Sequence, residues 1–163
     1  MIVTETLLVA DAAGVRLPGV AEPALAGRSV DDLVLHDTAV YALVDRRELH
    51  RLDPDGSASR VGTLDEPVAT CLHVHRARVW VGGEDARLWR LDGDRLERVT
   101  SFADAPTRAE WYTPWGGPPS VLSMASHGDD LYVGVHVGGI LRSSDDGATW
   151  TDTIDLHVDV HEV

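Results

Sequence analysis

The chain has 163 residues, enough for one domain with a sizeable core, and carries 27 acidic against 14 basic side chains, a net charge of −13 at pH 7. Every basic residue is arginine, and a surface this acidic repels phosphate backbones and anionic headgroups, which argues against nucleic acid and membrane as partners. Cys71 is the only cysteine, so there is no internal disulfide; the opening MIVTETLLVADAAG has neither the basic start nor the apolar run of a secretory leader, no stretch approaches a membrane span, and the expectation is a cytoplasmic protein.

Read in chain order, one pattern returns four times. TLLVADAAGVRL from Thr6, VYALVDRRELHRL from Val40, VWVGGEDARLWRL from Val79 and LYVGVHVGGILRS from Leu131 align without a gap, at offsets of 34, 39 and 52 residues. Tyr41, Trp80 and Tyr132 coincide, as do Leu49, Leu88 and Ile140, and then Arg51, Arg90 and Arg142. Each segment reads as a hairpin, a β-rich run followed by a polar or Gly turn and a second run. Upstream lie DDLVLH, ATCLHVH and LSMASH, with a further start in VDVHEV; downstream lie short runs such as RLERVTSF. The unit is therefore four strands, A to D from the inside outwards. No segment of useful length has helical periodicity. Four strands in about 40 residues is the signature of a propeller blade, and VYALV and LYVGV, apolar on both faces, suit sheets packed on both sides.

The predicted fold class is thus all-β, a β-propeller of four-stranded antiparallel blades, about four in this chain. Residues 1–27 supply strands B to D of a blade completed by the C-terminus. Residues 28–66 form the next blade, and 67–119 a third with a long loop at 103–119. Residues 120–155 form the fourth, and 156–163 the first strand of the closing blade. Three arrangements satisfy this count: further blades in a longer protein, two chains in an eight-bladed ring, or one closed four-bladed ring. An open half-propeller exposes strand edges and apolar faces, so self-association is expected if the chain is stable alone.

The stretch RSSDDGATW falls just after strand C of the last copy. Ser143, Asp145, Gly147, Thr149 and Trp150 stand in the spacing S-x-D-x-G-x-T-W; Asp and Ser side chains cap backbone groups in a tight turn, and Gly takes positive φ. The motif resembles the Asp-box, or BNR repeat, of sialidases and related propellers. The resemblance implies a structural turn on the blade periphery, away from the ligand site. By the same analogy, ligands sit on the face carrying the B–C and D–A connections.

On that face the B–C turns place Asp11, Asp45, Glu84 and His136 at one equivalent position. The insertion ADAPTRAEWYTPWGGPP, about Ala103 to Pro119, adds Trp111, Tyr112 and Trp115 beside Glu110 and Arg108. Exposed aromatic rings there stack on sugar faces or other apolar ligands; the alternative is that the tryptophans pack as a plug over the blade top. At the end of the chain His157, Asp159 and His161 share one side of an alternating segment, a donor set suited to a divalent metal or to acid–base work, with His136 as a candidate fourth group. His36, His75 and His127 sit at equivalent A–B turns, too far apart to share an ion, and read as turn residues. His73 and His75 put two imidazoles on one side of a strand, with no third ligand evident.

The leading expectation is a non-catalytic propeller that binds a carbohydrate, small molecule or partner on its aromatic, acidic face, through Glu110, Trp111, Tyr112, Trp115, Asp45, Glu84 and His136. No cofactor is required, with a divalent metal at His157, Asp159 and His161 the exception considered. The resemblance also implies a sialidase-like glycoside hydrolase, which needs an arginine triad, a Tyr–Glu pair and an acid Asp. Tyr112 and Glu110 are the one nearby pair, whereas Arg51, Arg90 and Arg142 read as blade-edge salt links. The third reading is a metal-dependent hydrolase using His136, His157, Asp159 and His161.

Overall fold

The structure, a computed structural model, describes residues 9–11, 13–64, 68–114, 116–156 and 163. Among them the chain is all-β. The first sheet pairs β1 (Val9–Asp11) with β2 (Gly14–Arg16), and a bridge from Val15 to Ala24 adds a third position. The second contains β3 (Val30–His36), β4 (Ala39–Val44), β5 (Glu48–Leu52) and β6 (Ala58–Thr63). The third contains β7 (Ala69–His75), β8 (Arg78–Gly83), β9 (Arg87–Asp92) and β10 (Arg95–Arg98). The fourth contains β11 (Val121–His127), β12 (Asp130–Val135), β13 (Gly139–Ser143) and β14 (Thr151–Asp152). The three four-stranded sheets are antiparallel meanders in which each strand pairs with its sequence neighbour. The remaining elements are 3₁₀ turns at Thr100–Asp104 and Arg108–Glu110, and among the described residues no helix is long and apolar enough to cross a membrane.

The sequence repeat is a repeat of register. Tyr41 pairs with Arg51, Trp80 with Arg90 and Tyr132 with Arg142 across the second and third strands of their sheets. Each first strand carries the same bulge one residue in, at Val30/Asp32, Ala69/Cys71 and Val121/Ser123. A bulge increases local twist and frees one residue from the ladder. The turn residues Asp45, Glu84 and His136 each donate a backbone N–H to the residue just before the first strand, Ser29, Val68 and Ser120, at 2.9 Å in all three. The residues that follow, Arg46, Asp85 and Val137, all take positive φ.

Alternation along the middle strands builds three separate cores. All six residues of β4 are buried. Val40, Ala42 and Val44 pack with Val15, Leu17 and Ala24 of the first sheet; Ala39, Tyr41 and Leu43 pack with Val79, Val81 and Trp89 of the third. On β8, Trp80 points the other way and packs with Leu131, Val133 and Leu141 of the fourth. A strand alternates its side chains between faces, so the second and third sheets are each two half-cores back to back, while the fourth adds one face to the core it shares with the third. The approach is close: a Cβ on Gly82 would lie 2.5 Å from Val121 and 2.7 Å from Cys71 Sγ.

Two of the expected units are described only in part. Of the first copy, the described residues form two three-residue strands and a bridge, and β1 is exposed at every described position. Of the expected closing strand at 156–163, only Leu156 and Val163 are described. Leu156 packs on the core between the third and fourth sheets, and the Val163 N–H donates to Ser123 Oγ at 2.9 Å.

Trp80 is 0% exposed. Truncation to Ala is expected to cost about 3–5 kcal/mol, as for other large core aromatics, read as a lower urea midpoint at unchanged slope. Tyr132→Ala, at the equivalent but only half-buried position, is expected to cost less.

Candidate functional site

The turns joining the second and third strands gather charge on one face, and the charges are paired. Asp11 caps the Ala13 N–H at 2.7 Å. Asp45 accepts from Arg28 at 2.5 Å and from the Ser29 N–H at 3.2 Å. Arg46 crosses from the second sheet to Glu84 of the third at 3.3 Å. Arg108 donates to the Asp85 carbonyl at 2.9 Å, tying the long loop to the third sheet. His136 is half-buried, its backbone N–H held by Ser120. Exposed ion pairs of this kind contribute about 0–1 kcal/mol each, so they set alignment more than stability.

Behind this face Glu48 is the most heavily engaged carboxylate. His50 Nε2 lies 2.8 Å away, Arg28 at 2.8 Å and Arg60 at 3.1 Å. These partners, His50 first, hold its carboxyl down at about 2. A carboxylate so strongly stabilised in its charged form is a poor proton acceptor, which makes Glu48 an anchor for Arg28, Arg60 and the buried His50.

The 103–119 loop divides its aromatic residues. Trp111, expected as an exposed stacking surface, is 6% exposed and belongs to the core between the third and fourth sheets. It lies 5.4 Å from Phe102, takes Arg108 over its face at 4.9 Å, and donates Nε1–H to Thr107 Oγ1 at 3.0 Å. The plug alternative is the correct one for this ring: the two-faced third sheet leaves a gap at its end that an indole fills, and ring burial outweighs exposure. Tyr112 is 51% exposed and Glu110 is exposed beside it. Trp115 lies outside the described residues.

The Ser143–Trp150 corner has the capping geometry its spacing predicts. Ser143 Oγ accepts from the Gly147 N–H at 2.8 Å and donates to Asp145 Oδ1 at 2.8 Å. Asp145 accepts from the Thr149 N–H at 2.9 Å and from its hydroxyl at 2.6 Å, and these bonds hold its carboxyl at about 2. The corner is not confined to the edge of its own sheet. Arg76 of the third sheet donates to the Ser144 carbonyl at 3.2 Å, Arg90 to the Asp146 carbonyl at 3.0 Å, and Ser101 to the Gly147 carbonyl. Arg78 pairs with the Asp146 carboxylate, and Trp150 packs edge-on to Phe102 at 4.7 Å. A groove of about 490 Å³ runs between the two, lined by Arg78, Arg90, Arg98, Glu97 and the corner itself.

His157, Asp159 and His161 lie outside the described residues. Among the described residues no three of His, Cys, Asp and Glu gather into a metal-binding group. Arg51, Arg90 and Arg142 do not converge: Arg51 pairs with Asp53 at 2.8 Å, Arg142 with Asp130 at 2.8 Å, and Arg90 reaches Asp146 at 3.5 Å. One cluster went unread in the sequence. Ser126 of β11 stands between His73 and His75 of β7, and only the packing of the first strands of neighbouring sheets brings it there.

No protein-family model matches the chain, and no curated protein matches it. Among solved structures it is similar to the computationally designed Ika4 protein, at 13% identity and a TM-score of 0.59, over 90% of this chain and 82% of that one. It is also similar to the computationally designed Ika8 protein, at 14% identity and a TM-score of 0.59, over 95% of this chain and 48% of that one, so it spans about half of Ika8's length. At these identities the likeness is one of fold.

The carboxylate shifts give a pH prediction. Glu48 is lowered from 4.5 and Asp145 from 3.8, both to about 2. Their contribution is complete above the unfolded values and is lost as pH falls through that window toward 2. Urea midpoints measured from pH 6 to pH 2 are expected to drop across it, and the drop is expected to shrink in Glu48→Gln and in Asp145→Asn.

Proposed function

We propose that the sheets are blades of a β-propeller of Asp-box type, and that the protein is a non-catalytic module binding a carbohydrate, another small ligand or a partner on the face of the B–C turns and the long loop. One observation carries the binding reading: Tyr112 and Glu110 project to solvent from a loop whose base is fixed by buried Trp111 and by Arg108. A ring on a pinned loop loses little freedom when it stacks on a ligand. The blade reading is supported by the same bulge and the same turn hydrogen bond in three successive sheets, and by two-faced packing of the second and third.

The sialidase-like alternative draws no support from Arg51, Arg90 and Arg142, each of which is engaged with an aspartate. The metal-hydrolase alternative rests on His136 and on residues outside those described. Self-association belongs to the proposal too: among the described residues β1 is an edge, with Val9 at 40% exposure, and such an edge invites pairing with another chain.

A glycan array probed with the full chain is expected to show saturable binding that Tyr112→Ala weakens at least tenfold without changing thermal denaturation. Unchanged binding in that variant, or turnover of a fluorogenic sialoside, would overturn the reading. Light scattering on the eluting protein is expected to give a mass of roughly two 17.6 kDa chains; a monomer would remove the self-association part alone.

A further inference from the structure

The first strands of the third and fourth sheets meet at a polar cluster. Ser126 Oγ lies 2.8 Å from His73 Nε2 and 2.9 Å from His75 Nδ1. His73 and His75, two residues apart on β7, share one side of the strand. The repeat identifies the equivalent point one sheet earlier: Val34 stands where His73 stands, each opposite the conserved-register aromatic, Tyr41 or Trp80, and Val74 stands where Ser126 stands. There the two valines pack with the apolar cluster between the second and third sheets. Two of the three positions are thus filled by valine at one junction and by an imidazole and a hydroxyl at the next, with His36 standing where His75 stands, so the fold itself does not require His73 and Ser126.

His75 has a role the repeat explains. His36 lies 6.2 Å from Tyr41 and His75 6.3 Å from Trp80, the same strand-end ring contact in both sheets. His75 is 2% exposed, and its Nε2 has no hydrogen-bond partner. Its outlet is Nδ1, toward Ser126. His73, half-buried, and Ser126, exposed, give that point access to solvent.

We propose that His73 Nε2 and His75 Nδ1, with Ser126 Oγ as a third donor, bind a divalent transition ion such as Zn²⁺, Ni²⁺ or Cu²⁺ at the junction of the third and fourth sheets. Imidazole nitrogens suit these ions. Donor atoms placed tetrahedrally at bonds near 2.0–2.1 Å sit about 3.3 Å from one another, so the oxygen–nitrogen distances need to open by only about half an ångström. Burial lowers the proton affinity of both imidazoles, which favours the neutral form a metal requires. Among the charges acting on His75, Arg76 opposes a positive ring most strongly, while Asp146, Asp129 and Asp130 favour it; each of these aspartates is itself paired with an arginine, so the imidazole nitrogens and not the surrounding charge would hold the ion. Cys71, further back on the same side of β7, is buried with its thiol pushed up to about 11, so it stays protonated and outside the donor set. Water completes the coordination from the solvent side. The bound ion would clamp β7 to β11.

The test is titration of the full-length, tag-free, metal-free chain with Zn²⁺ by calorimetry and with Cu²⁺ by electron paramagnetic resonance. One equivalent of each is expected to bind, with Cu²⁺ coupled to two imidazole nitrogens. His73→Val, which installs the residue the preceding junction uses, is expected to keep the circular-dichroism spectrum and weaken binding at least tenfold; Ser126→Ala is expected to weaken it less. The His157→Ala, His161→Ala double variant is expected to bind as the parent does. Absence of saturable binding overturns the proposal, as does binding unaffected by His73→Val. Loss in the double variant assigns the ion to the C-terminal segment and overturns it equally. Because no arm of the test involves a glycan or Tyr112, its outcome is independent of the ligand-binding reading above.

Discussion

The constraint on which the structure rests is that the middle strands are apolar on both faces. A strand such as β4, buried along its whole length, cannot be half of an ordinary sandwich with one wet side. It must be covered twice, here by the first sheet on one face and by the third on the other. The sequence meets this demand by alternating small and large residues: Ala39, Tyr41 and Leu43 go forward while Val40, Ala42 and Val44 go back. Burial of such side chains contributes about 25 cal/mol per Å² of apolar surface, and no single core in this chain is large. Stability is therefore distributed over three junctions, each made by two neighbouring sheets.

Distribution frees the junctions to differ in chemistry. Between the second and third sheets the Leu72 N–H donates to Asp32 Oδ2 at 2.6 Å, a side chain placed by the bulge. Between the third and fourth, Thr70 Oγ1 donates to the Val121 carbonyl at 2.5 Å, and the His–Ser–His set lies further along the same strands. At the outer end of that junction the Ser143–Trp150 corner acts as a buckle. Asp145 closes the turn on itself, whereas Asp146, at a φ of 60°, turns its carboxylate and carbonyl to the arginines of the sheet before. Gly147 is required there twice over: its φ is +82°, and a Cβ would lie 2.8 Å from the Trp80 ring.

How much of this was legible in the sequence follows from the range of each interaction. The strands, their register and the capping bonds of the corner depend on residues close in sequence, and Tyr41, Trp80 and Tyr132 aligned without coordinates. The burial of Trp111 was not legible, because a Trp in a long polar loop has the same local pattern whether it faces a ligand or a gap between sheets. Arg90 read as a blade-edge salt link, and its partner in the corner, Asp146, was not legible for the same reason: it lies 56 residues away. Ser126 was invisible as a partner of His73, 53 residues distant, until β7 and β11 were neighbours. The sequence did carry one departure from the repeat at that point: His73 stands where Val34 stands in the preceding sheet.

The same logic bears on the charge. The arginines are spent on internal bookkeeping of the fold: Arg28, Arg46, Arg78, Arg90 and Arg108 each join a turn, loop or sheet to its neighbour. Carboxylates outnumber them almost two to one, so the surplus is left on the solvated surface, where it keeps the molecule apart from anions and open to cations. A scaffold that consumes its cations in holding sheets together leaves recognition to what projects beyond it. In the binding reading proposed above, that role falls to the Tyr112 ring and the Glu110 carboxylate beside it, carried on a loop that Trp111 anchors from beneath.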